Sequence, residues 1–429
     1  MRVLLTGAGG FIGSHVMGAL LEAGQEVRAA VRRPTEVLVR FPTVEAIALD
    51  FNQATDTDDW SVPLREVDAV VNCAGVLRGS RWQRIDDVHL NAPKALFTAC
   101  ERLGIKRLIH ISAVSADADA HTRYSHTKAE AEAALREMAL DWVILRPSLV
   151  YAAGSYGGTS LLRGLSALPW VMPVVGEGNQ PFRPIHARDL AIGIVQLLER
   201  PEVAKVTLEP AGPEIVTLSE VLARLRAWLG LRSARTIHVP VPVARLAARI
   251  GDLVRAPTFN TTALRQLRYG NTGDPTEFVH LTGVSPAPMG SWLWRQPSHV
   301  QDRWHARLYW LRPLLRYVLG GLWLTSGAIG LGPARGYVLG MLAFSGLSAA
   351  AAWAITIGTC ALDLAVGTLI LVRWRPRVLG AVQLLVVFGY TVALSIVAPG
   401  FWTDPFGVLV KNVPILVAIA VWMVLEDDR

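Results

Sequence analysis

Hydrophobic residues along the first 150 positions fall in short runs that alternate with longer amphipathic segments. The runs are rich in Val, Leu and Ile without strict polar alternation, which is typical of strands buried on both faces of a parallel sheet. Strands are predicted over Val3–Thr6, Glu26–Val31, Val44–Leu49, Ala69–Cys73, Arg107–Ile111 and Trp142–Arg146. Helices are predicted over Gly13–Ala23, Asn91–Leu103 and Tyr124–Met138. The alternation predicts an α/β fold with a doubly wound parallel sheet.

The pattern loosens after about residue 150, where glycine and proline become frequent. Helical periodicity returns over Ala187–Leu198, Leu218–Leu229 and Val243–Leu253. We therefore predict a domain of residues 1–150, a smaller substrate-side part of residues 151–297, and an Arg- and Trp-rich connector of residues 298–313.

Four long apolar stretches occupy the rest of the chain, over Leu314–Leu331, Trp353–Val372, Val378–Ala398 and Phe406–Leu425. Each has about 18 to 21 residues, enough to cross the hydrocarbon core of a bilayer. The alternative is a buried soluble core, which four stretches of this length disfavour. Residues 314–429 are predicted to form an all-α transmembrane domain of four helices.

Arginines set the predicted orientation of these helices. Arg373, Arg375 and Arg377 separate the second and third stretches, whereas the loop Pro399–Pro405 has no Lys or Arg. Because basic loops favour the cytoplasmic side, we expect four crossings with both termini in the cytoplasm and an integral protein of the inner membrane. The shorter stretch Gly336–Ala352 is interpreted as re-entrant or interfacial, although 17 residues are close to the length of a span.

The composition fits this division and excludes other classes. Hydrophobic residues make up 52% of the chain, and the net charge is +7. Basic residues are scattered without interleaved aromatics, so we expect no nucleic-acid partner. Cys73, Cys100 and Cys360 have neither metal-binding nor disulfide spacing, so no metal is expected and the first 300 residues suit a reducing compartment.

A glycine-rich segment joins the first predicted strand to the first helix. Gly7, Gly10 and Gly13 have the spacing G-x-x-G-x-x-G, which allows a sharp turn and brings the backbone close to a pyrophosphate at a helix N-terminus. In this context the segment predicts a Rossmann dinucleotide site. The predicted contacts are Thr6, Gly7, Gly9, Gly10, Phe11, Ile12 and Gly13.

The end of the second strand bears on the choice of cofactor. Arg32 and Arg33 stand where an NAD site usually carries an acidic residue. Arginine suits a 2′-phosphate, so NADP is favoured and NAD remains open, the alternative being that both arginines are solvated loop charges. Asp50 and Phe51, just past the third strand, are expected to border the adenine.

Tyr124 and Lys128 lie four residues apart on a predicted helix, so both side chains project from one face. A neighbouring ammonium favours the phenolate, which predicts a lowered pKa for Tyr124 and a role as general acid and base. Ser112, at the end of the fifth strand, is predicted to bind the substrate oxygen. Asn91 is predicted to support a proton-relay water.

With these residues in place, residues 1–295 resemble the extended or atypical short-chain dehydrogenase/reductases, which include epimerases and dehydratases dependent on NAD. The shared motifs are Thr6–Gly13, Val71–Gly75, Asn91, His110–Ala113, Tyr124 with Lys128, Leu145–Tyr151, Val175–Gly178 and Pro184–Leu190. The resemblance implies a complete Ser–Tyr–Lys triad and cofactor contacts from Ala74, Gly75 and Pro147. Tyr124 and Lys128 are also predicted to contact the cofactor, and Lys128 is expected to hold the nicotinamide ribose through its N–H donors.

The C-terminal region resembles the DoxX-like membrane domains. The resemblance is carried by Trp402–Gly407 and Lys411–Pro414. Asp363, Lys411 and Asn412 are polar residues within the apolar stretches, and ionisable groups at that depth face partners inside a bundle. Two interpretations stay open for them: a proton or quinone site, or polar pairs that fix helix packing.

The sequence thus predicts a membrane-anchored NAD(P)-dependent oxidoreductase that transfers hydride to or from a carbonyl or alcohol carbon. The substrate is expected to be a small molecule, with a lipid-like compound and a quinone as open alternatives, and membrane lipid is an expected partner. Epimerase or dehydratase chemistry on the same triad is not excluded. The rival hypothesis is a non-catalytic dinucleotide sensor or an assembly subunit of a membrane redox complex.

Overall fold

The computed structural model describes residues 1–77, 79, 84–117, 122–254, 258–268, 270–344 and 346–426. The chain forms two compact units, Met1–Ala306 (unit 1) and Arg307–Arg429 (unit 2).

The strands lie in unit 1. They are β1 (Arg2–Thr6), β2 (Glu26–Val31), β3 (Glu45–Ala48), β4 (Ala69–Asn72), β5 (Arg107–Ile111), β6 (Asp141–Leu145), β7 (Val150–Tyr151), β8 (Val171–Val175), β9 (Pro181–Phe182), β10 (Ile185–His186), β11 (Val206–Leu208), β12 (Val216–Thr217) and β13 (Arg235–Val239).

The helices that pack on these strands are short to medium in length. They are α1 (Phe11–Glu22), α2 (Pro34–Arg40), α3 (Ala92–Leu103), α4 (Arg123–Arg136), α5 (Gly158–Ser166), α6 (Ala187–Leu198), α7 (Leu218–Trp228), α8 (Val241–Leu253), α9 (Thr261–Arg268), α10 (Thr276–Thr282) and α11 (Met289–Arg295). A 3₁₀ turn covers Thr57–Trp60, and a π-helical turn, Asp87–Asn91, leads into α3.

A seven-stranded sheet, in the order β11-β6-β5-β4-β1-β2-β3, forms the centre of unit 1. Every neighbouring pair in it is parallel. Apolar cores cover both faces, one including Val16 and Leu20 of α1, the other Leu96 and Phe97 of α3. The predicted doubly wound α/β fold is therefore confirmed.

The substrate-side residues form small two-stranded sheets, β10-β7, β12-β9 and β13-β8. They share a separate core that includes Met172, Val174, Val221 and Leu222. The predicted border at residue 150 does not separate these residues completely, because β11 joins the main sheet beside β6.

Unit 2 is helical, and its first helix begins within unit 1, at Val300, which is earlier than predicted. The helices are α12 (Val300–Leu331), α13 (Arg335–Phe344), α14 (Ala349–Leu371), α15 (Pro376–Val397) and α16 (Asn412–Leu425). The predicted connector of residues 298–313 is mostly the first half of α12, in which Pro313 is accommodated.

Three of these helices, α12, α14 and α15, are long and apolar enough to cross a membrane, judged on the described residues. The fourth predicted span, Phe406–Leu425, is α-helical only in the 14 residues of α16. At 1.5 Å per residue this is about 21 Å, shorter than a hydrocarbon core of about 30 Å. The predicted stretch Gly336–Ala352 is divided between the 10-residue α13 and the start of α14. Four crossings therefore remain a prediction.

Candidate functional site

The glycine-rich loop between β1 and α1 is built by close backbone approaches. Gly7 has a φ of +66°, and a Cβ on it would lie 2.8 Å from the carbonyl of Cys73. A Cβ on Gly13 would lie 2.1 Å from the carbonyl oxygen of Gly7. Because Gly10 caps α1 without a side chain, the N–H groups of the first turn are available to an anion. The loop fits a dinucleotide pyrophosphate.

Polar side chains tie the strand ends together beneath this loop. The Thr6 hydroxyl donates to Asn72 Oδ1 at 2.6 Å, and Asn72 Nδ2 lies 3.0 Å from His110 Nδ1. All three residues are fully buried. The side chain of Thr6 therefore supports the loop, and any contact from Thr6 to a cofactor would come from its backbone.

The residues predicted to surround the adenosine differ in their exposure and in the partners they already have. Arg32 and Arg33 are exposed just after β2, and Arg33 pairs with Glu36 at 2.8 Å. Asp50 Oδ1 accepts hydrogen bonds from the backbone and side chain of Asn52. The Phe51 ring is instead packed in the core against Trp60, at 5.5 Å between centroids. The Phe51 ring therefore offers no exposed face on which an adenine could stack, because burying an apolar ring is favourable in free energy.

Lys128 is buried close to the residue 74–75 segment that follows β4. It projects from α4 with Tyr124, is 3% exposed, and donates from Nζ to the carbonyl oxygen of Ile111 at 2.7 Å. A Cβ on Gly75 would lie 3.6 Å from Lys128 Nζ. The Ala74 N–H donates to Asn72 Oδ1 at 3.3 Å. The structure therefore brings Lys128 close to the residue 74–75 segment, and the cofactor contacts of Ala74 and Gly75 remain a prediction.

Burial dominates the ionisation of the Tyr–Lys pair. It lowers the pKa of Lys128 to about 8, against the opposing negative charge of Glu132. It raises the pKa of Tyr124 to about 12. This direction is opposite to the predicted lowering of the pKa of Tyr124, and its cause is the desolvation of the phenol by burial. At neutral pH Tyr124 is an acid that holds its proton.

Ser112 has a different partner from the predicted one. Its hydroxyl donates to Glu132 Oε1 at 2.5 Å, and the residue is 4% exposed. The predicted contact with a substrate oxygen would require this hydroxyl to leave Glu132, because it has a single proton to donate. That contact remains a prediction.

Glu132 is a buried carboxylate that the sequence analysis missed. It is 0% exposed and receives two hydrogen bonds from Arg146, at 2.9 and 2.6 Å, and one from Arg136 at 2.8 Å. Arg146 is therefore held in an ion pair within the fold. The signal in the sequence is the spacing of Glu132 four residues after Lys128, on the same helix face.

His89 is a second residue that the sequence analysis missed. It lies in the π-helical turn, is 1% exposed, and packs edge-on against the Tyr124 ring at 5.3 Å between centroids. Its Nε2 accepts from the Val76 N–H at 2.9 Å, and its Nδ1 lies 3.1 Å from Thr127 Oγ1. Burial holds the pKa of His89 well below its usual range, so the imidazole is neutral. It fixes the Tyr124 ring relative to the cofactor loop.

Asn91 ends the same π-helical turn and is exposed. Its Nδ2 donates to Asp87 Oδ1 at 2.8 Å. A π-turn rotates the side chains that follow it and is frequent at functional sites. The predicted water relay through Asn91 remains a prediction. Pro147, the last predicted cofactor contact, is buried just after β6.

The substrate-side part contacts the start of α4 through Gln266. Its Nε2 donates to Thr122 Oγ1 and to Ser125 Oγ, each at 2.7 Å. Thr122 also caps α4, since its hydroxyl accepts from the Ser125 N–H. Helix α9 is therefore anchored beside Tyr124.

Histidines near Tyr124 and in the Pro184–Leu190 motif have structural partners where the structure describes them. His126 pairs with Glu130 at 3.1 Å on the surface, and His186 stacks on Trp292 with 3.9 Å between ring centroids. His121 lies outside the described residues. Arg183 donates to the carbonyl oxygens of Gly212 and Gly273, so it too is held by the fold.

The polar residues of unit 2 pair within the bundle. Asp363 is 5% exposed and accepts from Ser326 Oγ at 2.8 Å and from the Tyr390 hydroxyl at 3.2 Å. Asn412 Nδ2 donates to Thr391 Oγ1 at 2.8 Å. Among the described hydrogen bonds and ion pairs, Asp363 has these partners rather than Lys411. They favour the packing interpretation.

Comparison with known families assigns both ends of the chain. Residues 7–164 match the model described as NAD(P)H-binding, and residues 320–420 match that of the DoxX-like family. The chain is a fusion of an NAD(P)H-binding domain and a DoxX-like domain. The NAD(P)H-binding match covers the glycine loop, Tyr124 and Lys128, and the DoxX-like match covers α14 and α15.

The NAD(P)H-binding domain has curated relatives of moderate similarity. It is 26% identical over 289 residues to a ceramide reductase of Caulobacter vibrioides, covering 67% of this chain and 87% of the relative. It is 25% identical over 224 residues to the mitochondrial NADH dehydrogenase [ubiquinone] 1 alpha subcomplex subunit 9 of Dictyostelium discoideum, covering 50% of this chain and 60% of the relative.

Solved structures share the fold. The UDP-glucuronic acid 4-epimerase of Bacillus cereus, in complex with UDP-glucuronic acid and NAD, aligns with a TM-score of 0.52 and 20% identity, over 69% of this chain and 99% of that one. A nucleoside-diphosphate-sugar epimerase of Staphylococcus aureus aligns with a TM-score of 0.55 and 17% identity, over 68% and 99%. At these identities the likeness concerns the fold alone.

We predict that Gly13→Ala weakens NADPH binding at least about tenfold, equivalent to about 1.4 kcal/mol. The new methyl group would lie 2.1 Å from the Gly7 carbonyl oxygen, so the loop must shift. Gly18→Ala is the matched control, because Gly18 lies on α1 outside the predicted cofactor contacts and a Cβ there meets nothing within 4 Å. Calorimetry on both variants measures the difference, and equal affinities would show that the loop does not position the cofactor.

We predict that NADPH affinity falls as pH rises through about 8, because Lys128, which is predicted to hold the ribose, then loses its charge. Glu132→Gln should move this midpoint to lower pH, since the Glu132 charge raises the pKa of Lys128. Glu130→Gln, the same change at the surface of α4, should leave it in place. The measurement is the dissociation constant against pH, and a pH-independent value would contradict the role of Lys128.

Proposed function

We propose that this chain is a membrane-tethered oxidoreductase that uses NADPH to reduce, or NADP to oxidise, an amphiphilic substrate. The observation that carries the proposal is the placement of the buried Lys128, with Tyr124 one helical turn away, beneath the 74–75 segment that adjoins the glycine loop. The DoxX-like domain and three long apolar helices indicate a membrane protein. A dinucleotide site next to an acid–base pair is the arrangement that carbonyl reduction requires.

The protein's own groups account for the proton in this reaction. When bound, the nicotinamide cofactor supplies or accepts the hydride. Tyr124, protonated at neutral pH, donates its phenolic proton to the substrate oxygen during reduction. The Lys128 ammonium stabilises the phenolate that this transfer leaves and holds the cofactor ribose. His89 keeps the Tyr124 ring in place, and the Glu132 charge favours the protonated lysine.

The relatives support a lipid-like substrate more than a nucleotide sugar. Two of them are named reductases: the ceramide reductase, and a (4-alkanoyl-5-oxo-2,5-dihydrofuran-3-yl)methyl phosphate reductase of Streptomyces griseus, 28% identical over 293 residues. Ceramide is a membrane lipid, which suits an enzyme held at a bilayer. Ubiquinone is named in other relatives as a substrate of the enzyme to which the relative belongs as a subunit, and not of that subunit itself.

A specific observation favours a second candidate, an assembly or sensor subunit. Several relatives are named as mitochondrial NADH dehydrogenase subunits, and the chain spans 60% of the length of the one from Dictyostelium discoideum. The raised pKa of Tyr124 is also compatible with a site that binds a dinucleotide without turnover. The two candidates share the fold and differ in whether bound cofactor changes its redox state.

We predict that Tyr124→Phe lowers turnover by about 10²–10⁴-fold while cofactor affinity stays nearly unchanged. The change removes the proton donor but no phosphate contact. Tyr156→Phe is the matched control, since Tyr156 is 70% exposed. The assay follows NADPH oxidation with solubilised membrane lipid, and wild-type turnover in Tyr124→Phe would favour the second candidate.

We predict that the protein binds NADPH more tightly than NADH, because Arg32 and Arg33 follow β2 where an acidic residue would repel the 2′-phosphate. Replacing both arginines by alanine should reduce the difference in affinity between NADPH and NADH. Arg102→Ala, which removes an exposed arginine on α3, should leave that difference unchanged. Calorimetry with both cofactors measures the two affinities, and tighter binding of NADH would reject the assignment of NADPH as the preferred cofactor.

We predict that unit 1 and the C-terminus both lie in the cytoplasm at an inner membrane, with an even number of crossings. The basis is the arginine loop at 373–377 opposite the loop 399–405, which has no Lys or Arg. Reporters fused after Arg429 test this. A fluorescent fusion should be bright and an alkaline phosphatase fusion inactive, and the reverse would place the C-terminus outside.

A further inference from the structure

Helix α8 of unit 1 is packed with its small residues inward. Ala244, Ala248 and Gly251, spaced at four and three residues, are buried. Its large apolar residues point outward instead: Val243 is 54% exposed, Leu246 61%, Ile250 55% and Leu253 84%. A helix that served only the core of unit 1 would have the reverse arrangement.

The exposed apolar residues form one continuous stripe. At 100° per residue, positions 243, 246, 250 and 253 fall within an arc of about 80°. Val254, 41% exposed, extends the stripe past the end of the helix. Scattered single apolar residues are normal on a protein surface, whereas a continuous stripe of five marks an interaction surface.

Two arginines lie along one side of this stripe. Arg245 and Arg249 are exposed and lie one turn apart, between the stripe and the buried face. Asp252, the acidic residue of the helix, is half-buried. An apolar face flanked by arginines is the pattern of a helix that lies in a membrane interface, where guanidinium groups meet lipid phosphates.

We propose that the α8 stripe (Val243, Leu246, Ile250, Leu253 and Val254) inserts into the interface of the bilayer and that Arg245 and Arg249 bind anionic lipid headgroups. The apolar helices of unit 2 confine unit 1 to the neighbourhood of a bilayer, which makes lipid the surface that the stripe meets most often. Arginine beside the stripe suits anionic lipid better than a second copy, whose stripe would bring the same positive charges. This inference does not depend on redox activity.

The proposal is tested by measuring how deeply a nitroxide spin label on the stripe lies in the lipid. The measurement uses the full chain reconstituted into lipid nanodiscs. The label is attached to Leu246→Cys in a Cys73→Ser background, since Cys100 and Cys360 are buried. Val62→Cys is the matched control, because Val62 is an isolated apolar residue with 67% exposure. Thermal unfolding confirms that each variant is folded.

The label at Leu246 should be accessible to oxygen, which concentrates in lipid, and protected from an aqueous nickel chelate, with the reverse at Val62. Equal nickel access at the two sites would overturn the proposal. Protection of Leu246 from both reagents would also overturn it, because that result indicates a protein contact such as a second copy.

The arginines are tested by Arg245→Glu with Arg249→Glu in the Leu246→Cys background. In nanodiscs that contain phosphatidylglycerol, the nickel access of the label should rise severalfold, because acidic side chains are repelled by anionic headgroups. In phosphatidylcholine alone the rise should be smaller. The same rise in both lipids, or none in either, would reject the anionic-lipid assignment.

Discussion

The structure of unit 1 depends on how closely backbone segments approach one another at the first glycine loop. Gly7 lies against the carbonyl of Cys73, and Gly13 lies against the carbonyl of Gly7, at distances that leave no room for a Cβ. These approaches fix the start of α1 over the carboxyl end of β1. They also set the position of the 73–75 segment, above which the cofactor is expected and below which Lys128 lies. One steric constraint therefore positions both parts of the proposed site.

Desolvation is the second force that shapes the site. Lys128 is nearly inaccessible to water, and its ammonium depends on the Ile111 carbonyl and on the negative charge of Glu132. Glu132 in turn is stabilised by Arg146 and Arg136, since a carboxylate this deeply buried is tolerated only when paired. The network joins α4 to the ends of β5 and β6, so the acid–base pair is held by buried charges as well as by packing.

The sequence predicted most of the sheet and less of the site. The six predicted strands match the observed ones to within one residue at each end, because buried parallel strands have a strong hydrophobic pattern. Strand β11 was missed, since three residues give no periodicity to detect. His89 was missed because a π-turn has no signature in a single sequence. Glu132 was missed because its spacing after Lys128 does not by itself show that the carboxylate is buried. Phe51 was placed by its position after a strand, which does not determine which way a side chain points.

The proposed function combines membrane attachment with redox chemistry: a dinucleotide site tethered to the membrane transfers hydride to a lipid-like compound. The most direct measurement uses NADPH deuterated at C4 of the nicotinamide, incubated with the reconstituted protein and a membrane lipid extract. The account predicts that mass spectrometry finds deuterium on carbon in a lipid product, with the wild-type chain and not with Tyr124→Phe. Oxidation of no cofactor, and no deuterium in any lipid, would contradict the account and leave a dinucleotide-binding subunit in its place.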